Sequence, residues 1–283
     1  MNKFTLGAVA GALTCTFALE AAATEWNVSV WGKRRAFTEH VEKLAELVAE
    51  KTNGEFTMNV SYGGLSKNRE NLDGISIGAF EMAQFCAGYH ADKNRVITVL
   101  ELPFLGVENL KQEVAVSNAV YAHPAAVDEM AQWNAKLLMT SPMPQYNLVG
   151  TGEHLSFGTI NQADWWTANL NPGTVNCPVV VNIDAYESLS DAEREALDSS
   201  VPEAIDYYLS NYGELLKRWD TVLEEKGVEK VMYSDETIAE FREKAAGPIR
   251  DAWIADMEGQ GLPGQELYDL VEKTLAEAKA SGS

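Results

Sequence analysis

A two-lobed α/β fold crossed by one spine helix is what this sequence predicts, and three observations carry the prediction. Strand-like and helix-like patterns alternate along the first half. The 283 residues, less a 23-residue leader, leave about 260, beyond the size at which one hydrophobic core is the usual solution. One capped amphipathic pattern then runs for more than thirty residues, roughly 50 Å at 1.5 Å per residue, which is longer than one lobe. No internal repeat and no Pro/Gly/Ser linker divides the chain, so it is expected to cross between lobes more than once.

The elements follow in order. Trp31 closes a first strand. Phe37, Val41, Leu44, Leu47 and Val48 share one face of a helix that Asn53 and Gly54 can end. Phe56, Met58, Val60 and Tyr62 alternate as a strand. Gly63 and Gly64 turn the chain into a helix bearing Leu72 and Ile75, and Glu81 to Phe85 and Val96 to Leu105 read as extended. A helix over Glu108 to Trp133, a strand over Lys136 to Thr140 and an extended crossing to Gly150 complete a lobe with a largely parallel sheet.

The stretch Asn161 to Asp191 joins a polar-aromatic loop to a valine-rich run, Pro178 to Ile183, suited to a strand covered on both faces. Ser190 and Glu193 form a capping box, each satisfying an orphan backbone donor of the spine helix. Leu197, Val201, Ile205, Leu209, Tyr212, Leu216, Trp219 and Leu223 keep one face of that helix apolar as far as Gly227, with Pro202 as its expected bend. A strand over Val228 to Tyr233 and two acidic amphipathic helices follow, the first bearing Phe241, Ile249 and Trp253.

Lys3, the apolar run Phe4 to Leu19 and Ala21 to Ala23 read as an export signal cleaved after Ala23. Thr14 stands where a lipobox prefers Gly or Ala, which argues against lipid on Cys15. Cys86 and Cys177 remain after cleavage; they permit one disulfide in an oxidising compartment, and two buried thiols are the reading preferred here. The chain carries 42 acidic against 22 basic side chains, net −20. Such a surface repels nucleic acid and anionic lipid. The four histidines show no metal-ligand spacing, no nucleophile elbow appears, and Gly63–Gly64 makes no phosphate loop, so no enzyme, metal or cofactor is expected.

Three blocks resemble the solute receptors of tripartite ATP-independent periplasmic (TRAP) transporters, the C4-dicarboxylate-binding family. They are EHVEKLAELVAEKTNGEFTMNVSYGGLSKNRENLDGISIGAFEMAQF with the later LELPFL, then NPGTVNCPVVVNIDAYESLSDAEREAL, then EEKGVEKVMYSDETIAEFREKA. Their order and spacing match the family over nearly the whole chain. The resemblance implies a type II periplasmic-binding-protein-like clamp that closes on an organic carboxylate and delivers it to a membrane permease, in the periplasm and without nucleic acid. It implies a leader at 1–23, a first lobe at 24–143, a reduced second lobe at 144–189, a spine helix at 190–227 and a closing strand and helices at 228–283.

The family's second-lobe arginine, which clasps the ligand carboxylate in a two-pronged ion pair, has no counterpart. The chain runs from Gly150 through Leu155 directly to Gly158, omitting about sixty residues of the family pattern, roughly a third of a typical domain. The second lobe is therefore expected to be truncated, with less sheet around Val179 to Val181. An internally deleted, non-transporting relic or protein-interaction module of the same family is the alternative.

By position, the resemblance gives Trp31, Phe85, Cys86, Tyr89 and the adjacent His90 as first-lobe contacts, Gln145, Tyr146 and Asn147 at the crossing, and Trp165 and Asn176 on the second-lobe wall. Arg69 is the best remaining basic contact, and Lys33, Arg34 and Arg35 form a basic cluster beside Trp31 that could stand in for the missing anchor.

Overall fold

The computed structural model describes residues 23–146 and 164–282. Apart from Ala23, the leader lies outside the described residues, as do Asn147, the junction at 150–158 and residues 161–163.

Strand β1 (Thr24–Val30) is followed by helix α1 (Glu39–Lys51), which ends where Asn53 and Gly54 take positive φ of 51° and 81°. That is the left-handed cap the sequence suggests. Next come β2 (Phe56–Tyr62), α2 (Asn71–Ser76) and β3 (Met82–Gln84). Val96–Glu101 is a 3-10 helix rather than extended chain, with Val96, Ile97, Val99 and Leu100 all buried. Its apolar run serves a helical surface, which periodicity over so few residues does not distinguish from a strand.

The single helix expected over 108–133 is two: α3 (Leu110–Tyr121) and α4 (Pro124–Ala131). Pro124 cannot continue a helix but suits a first helical position, and the His123 ring caps that new start. Strand β4 is Ala135–Thr140, β5 Trp165–Thr167 and β6 Pro178–Asn182. A short α5 (Ile183–Ser188) leads into the spine helix α6 (Asp191–Glu225), whose Ser190–Glu193 capping box is formed and whose 35 residues include Pro202. Strand β7 (Glu229–Val231), α7 (Asp235–Phe241), a π turn (Arg242–Ala246), α8 (Gly247–Gly259) and α9 (Gly264–Ala280) finish the chain.

Five strands form the main sheet in the order β2-β1-β3-β6-β4. β1 runs parallel to β2 and β3, whereas β6 runs antiparallel to both β3 and β4. The sheet is thus mixed, not largely parallel. Strand β6 is central as its valine run suggests, with all five residues buried. It lies in the sheet of the first lobe, however, which corrects the expectation that 178–182 belong to a second-lobe wall. Alternation of hydrophobic side chains measures burial on two faces and is silent about direction and partner.

The alternation itself is kept. Met82, Val179 and Val181 face a core shared with α1 and the spine helix residues Leu197, Ala204 and Ile205. Ala83 and Val180 face the opposite core with Leu72, Ile75, Phe80 and Met130. Fully burying one such valine contributes about 1.5–3 kcal/mol. A third core joins the Val96–Glu101 turn, α3 and α9. Among the described residues, the second sheet has two strands, β5 parallel to β7, over Trp166, Trp219 and Leu223. The distal half of the spine helix therefore supports this smaller body, while its proximal half supports the main sheet.

Candidate functional site

The carboxyl ends of the parallel strands β1, β2 and β3 bring three loops together, the place where open α/β sheets hold ligands. Gly32 and Gly63 let the first two loops touch. Both have positive φ, a Cβ on Gly63 would come within 3.3 Å of the Gly32 carbonyl oxygen, and the Gly63 amide donates to Val30 O at 2.7 Å. A polar knot pins the second loop to the sheet. The Ser29 hydroxyl lies 2.8 Å from Ser66 Oγ and donates to Asn71 Oδ1 at 2.9 Å, at the start of α2. This knot fixes the loop that carries Arg69.

Trp31, just past β1, meets Tyr89, from the 3-10 turn after β3, edge to face with ring centroids 5.5 Å apart. Both pack on a small core of Phe37, Cys86, Met143 and Cys177. The guanidinium of Arg35 lies 4.3 Å over the Trp31 ring and 5.2 Å from that of Phe37, and its Nη1 donates to the Lys33 carbonyl at 3.0 Å. Arg69 stands 5.9 Å over Tyr89 from the other side. The result is an aromatic wall with a cation on each flank. Trp31 Nε1 is buried with no hydrogen-bond partner among the described residues, a donor whose desolvation costs about 1–3 kcal/mol until an acceptor arrives.

The basic cluster at 33–35 is resolved by this geometry. Arg34 turns outward into an ion pair with Glu42 at 2.6 Å, which raises its pKa, and Lys33 is exposed. Arg35 alone of the three stacks on the wall. Within the run of three bases, the signal that could have singled it out is its position immediately before Ala36–Phe37, where the chain turns back toward the core.

Cys86 and Cys177 form a disulfide, S–S 2.01 Å, in place of the two thiols expected. The cause is register. Gln84 pairs with Val179, and the antiparallel course continues through Phe85 N to Pro178 O and Ala87 N to Asn176 O. Cys86 therefore faces Cys177 as a non-hydrogen-bonded pair, the position where opposing strands come closest. The Cys86 sulfur is a covalent strut under the wall rather than a ligand group.

Other candidates fall elsewhere. Phe85 is fully buried against His90, ring centroids 4.9 Å apart, and points into the core. Asn176 is buried and engaged on all sides: it accepts from Tyr121 Oη at 2.8 Å, donates to Ser117 Oγ at 3.3 Å, and its backbone N–H donates to Glu101 at 3.1 Å. It holds the strand that returns from the second lobe and offers no free amide to a ligand. Tyr146 bridges to Gly173 through its backbone at 2.7 Å. Trp165 is exposed on β5, opposite Glu229. Gln145 lines a separate cavity with Trp166 and Asn171. The structure thus brings together Trp31, Cys86, Tyr89 and Arg69 and adds Arg35, Phe37 and Met143. Phe85, Gln145, Tyr146, Trp165 and Asn176 are not joined to that wall.

The model for bacterial extracellular solute-binding protein, family 7, matches residues 28–141 and 167–256. This chain belongs to that family. A similar protein from Comamonas testosteroni, called outer membrane transporter protein TsaT, is 21% identical over 293 residues, spanning 83% of this chain and 86% of the relative. Among solved family-7-like folds, a TRAP periplasmic solute-binding protein from Desulfovibrio salexigens with bound orotic acid aligns with TM-score 0.74 at 16% identity, over 89% of this chain and 99% of that one. Another, from Rhodoferax ferrireducens with copurified benzoate, aligns with TM-score 0.74 at 13% identity, over 92% and 100%. At these identities the structural likeness establishes the two-lobed fold.

Proposed function

We propose that this chain is the extracytoplasmic receptor of a TRAP transporter, capturing an organic carboxylate between its lobes and handing it to a membrane permease. The observation that carries the reading is Arg35 stacked on Trp31, beside Tyr89 and Arg69, at the strand ends of a family-7 fold. A guanidinium held flat on an indole is oriented by the ring, and a guanidinium so fixed suits a planar carboxylate. The buried Trp31 Nε1 supplies a further donor. Solved relatives of this fold hold orotic acid and benzoate, ligands of the kind such a wall suits. In this reading Arg35 takes the part that a second-lobe arginine plays in the resembled family, and the second lobe is reduced to the body around β5 and β7.

Export by the leader at 1–23 places the receptor in the periplasm, and the fold acts by closure on ligand rather than by catalysis. In this reading the membrane step belongs to the permease; no helix of the described residues is long and apolar enough to cross a membrane. The test is a thermal-shift screen of orotate, benzoate, pyroglutamate and glucuronate against the full chain. A ligand that binds the native state alone raises Tm by mass action. An increase with one carboxylate, lost in Trp31→Ala, supports the reading; no increase with any carboxylate at millimolar concentration overturns it.

A further inference from the structure

Behind the crossing segment, on the spine-helix side, lies a cavity of about 650 Å³, within the size range of small-molecule sites. Trp166 and Trp219, both buried, form its apolar end, and Met143 separates it from the core beneath the Trp31 wall. Its lining also carries Lys111 and Lys230. Neither lysine makes an ion pair among the described residues, and Lys230 Nζ lies 5.5 Å over the Trp166 ring. Of the two acids in the lining, Glu108 is taken by Lys279 at 2.7 Å, which leaves Asp220. In a chain of net charge −20, the lining balances two lysines against two carboxylates, one of which Lys279 already holds.

The spine helix keeps the space open. Leu209, Gly213 and Leu216 present one face to the cavity, and a Cβ built on Gly213 meets nothing within 4 Å. Glycine inside a helix costs about 0.5–1 kcal/mol relative to alanine, and here no steric need within the protein offsets that cost.

We propose that this cavity is a second small-molecule site, separate from the Trp31 wall, which takes a flat apolar molecule bearing one anionic group. The rings of Trp166 and Trp219 receive the flat body, and Lys230 with Lys111 receives the charge. The site does not depend on the receptor reading: its rings and lysines lie apart from the wall, and Met143, between the two, is the one lining residue they share.

The probe is 2-naphthoate, titrated into the full chain by calorimetry with tryptophan fluorescence followed in parallel. The expected result is saturable binding that persists in Trp31→Ala, weakens at least tenfold in Gly213→Leu, where the side chain fills the cavity, and weakens threefold or more in Lys230→Gln. The two cavity variants should retain any Tm increase that a carboxylate gives through the wall, which separates failure at one site from failure at the other. If Gly213→Leu does not fold, Lys230→Gln decides alone. Absence of saturable binding, unchanged affinity in the cavity variants, or complete loss in Trp31→Ala would overturn the proposal.

Discussion

Arg35 lies with its guanidinium 4.3 Å above the Trp31 ring, while its neighbour Arg34 faces away into Glu42. This split between adjacent arginines makes them a matched pair for experiment. If Arg35 clasps the ligand carboxylate, Arg35→Gln should weaken carboxylate binding by one to two orders of magnitude, since a hydrogen bond to a charged group contributes about 1.5–3 kcal/mol. Arg34→Gln removes only a solvent-exposed, screened pair and should leave affinity within twofold. Isothermal titration of both variants with the carboxylate found in the screen checks the contrast; equal losses would remove Arg35 from the site.

The Cys86–Cys177 bond closes a loop spanning 91 residues. In the chain-entropy account a loop of that size contributes about 4–5 kcal/mol by restricting the unfolded state, with native-state effects able to reduce it. Cys86→Ser with Cys177→Ser is therefore expected to lower the denaturant midpoint by a margin readily measured at constant slope. Non-reducing mass spectrometry of a tryptic digest should show the two cysteine peptides joined. Two separately alkylated peptides from unreduced protein would contradict the bond.

That bond also shows which features sequence can and cannot disclose. The valines of Pro178–Asn182 announce burial on both faces, and the Ser190–Glu193 box announces the start of the spine helix; both stand in the structure. Strand direction depends on which neighbour the strand meets, a long-range matter that side-chain alternation does not encode. Once β6 is known to run antiparallel to β3, the Cys86–Cys177 pairing follows by counting along the register. The same limit applied to the wall. Trp31, Tyr89 and Arg69 were visible as candidates from their places after strands, and the one local sign for Arg35 was its place before Ala36–Phe37; that Glu42, one helical turn into α1, draws Arg34 away is seen only in the structure.

Asn176 provides a test that separates structure from binding. Its side chain joins Tyr121 and Ser117 in the buried interior. Asn176→Ala should leave both hydroxyls without that partner and destabilise the fold by about 1–3 kcal/mol. Ligand affinity, measured well below the lowered Tm, should stay within threefold. A large loss of affinity with unchanged stability would return Asn176 to the ligand contacts.

Two buried ionisable groups give the stability opposite slopes with pH. Burial lowers the His40 pKa to about 3, in a site where its Nε2 lies 2.8 Å from Ser141 Oγ and Tyr208 packs against the ring. Folded His40 stays neutral while the unfolded chain takes up a proton near the ordinary imidazole value of 6.5, so stability falls as pH drops from 6.5 toward 3. Burial raises Glu113, on α3, to about 8 from 4.5. The folded state then keeps a proton that the unfolded chain releases, so this group costs stability progressively as pH rises from 4.5 toward 8. Glu113→Gln, which keeps the shape and removes the ionisation, is expected to flatten the alkaline limb and to stabilise the protein at pH 8 by an amount on the order of 2–4 kcal/mol, while leaving the acid limb in place. Urea midpoints from pH 4 to pH 9 measure both limbs. An alkaline slope that survives Glu113→Gln would assign that limb to another group.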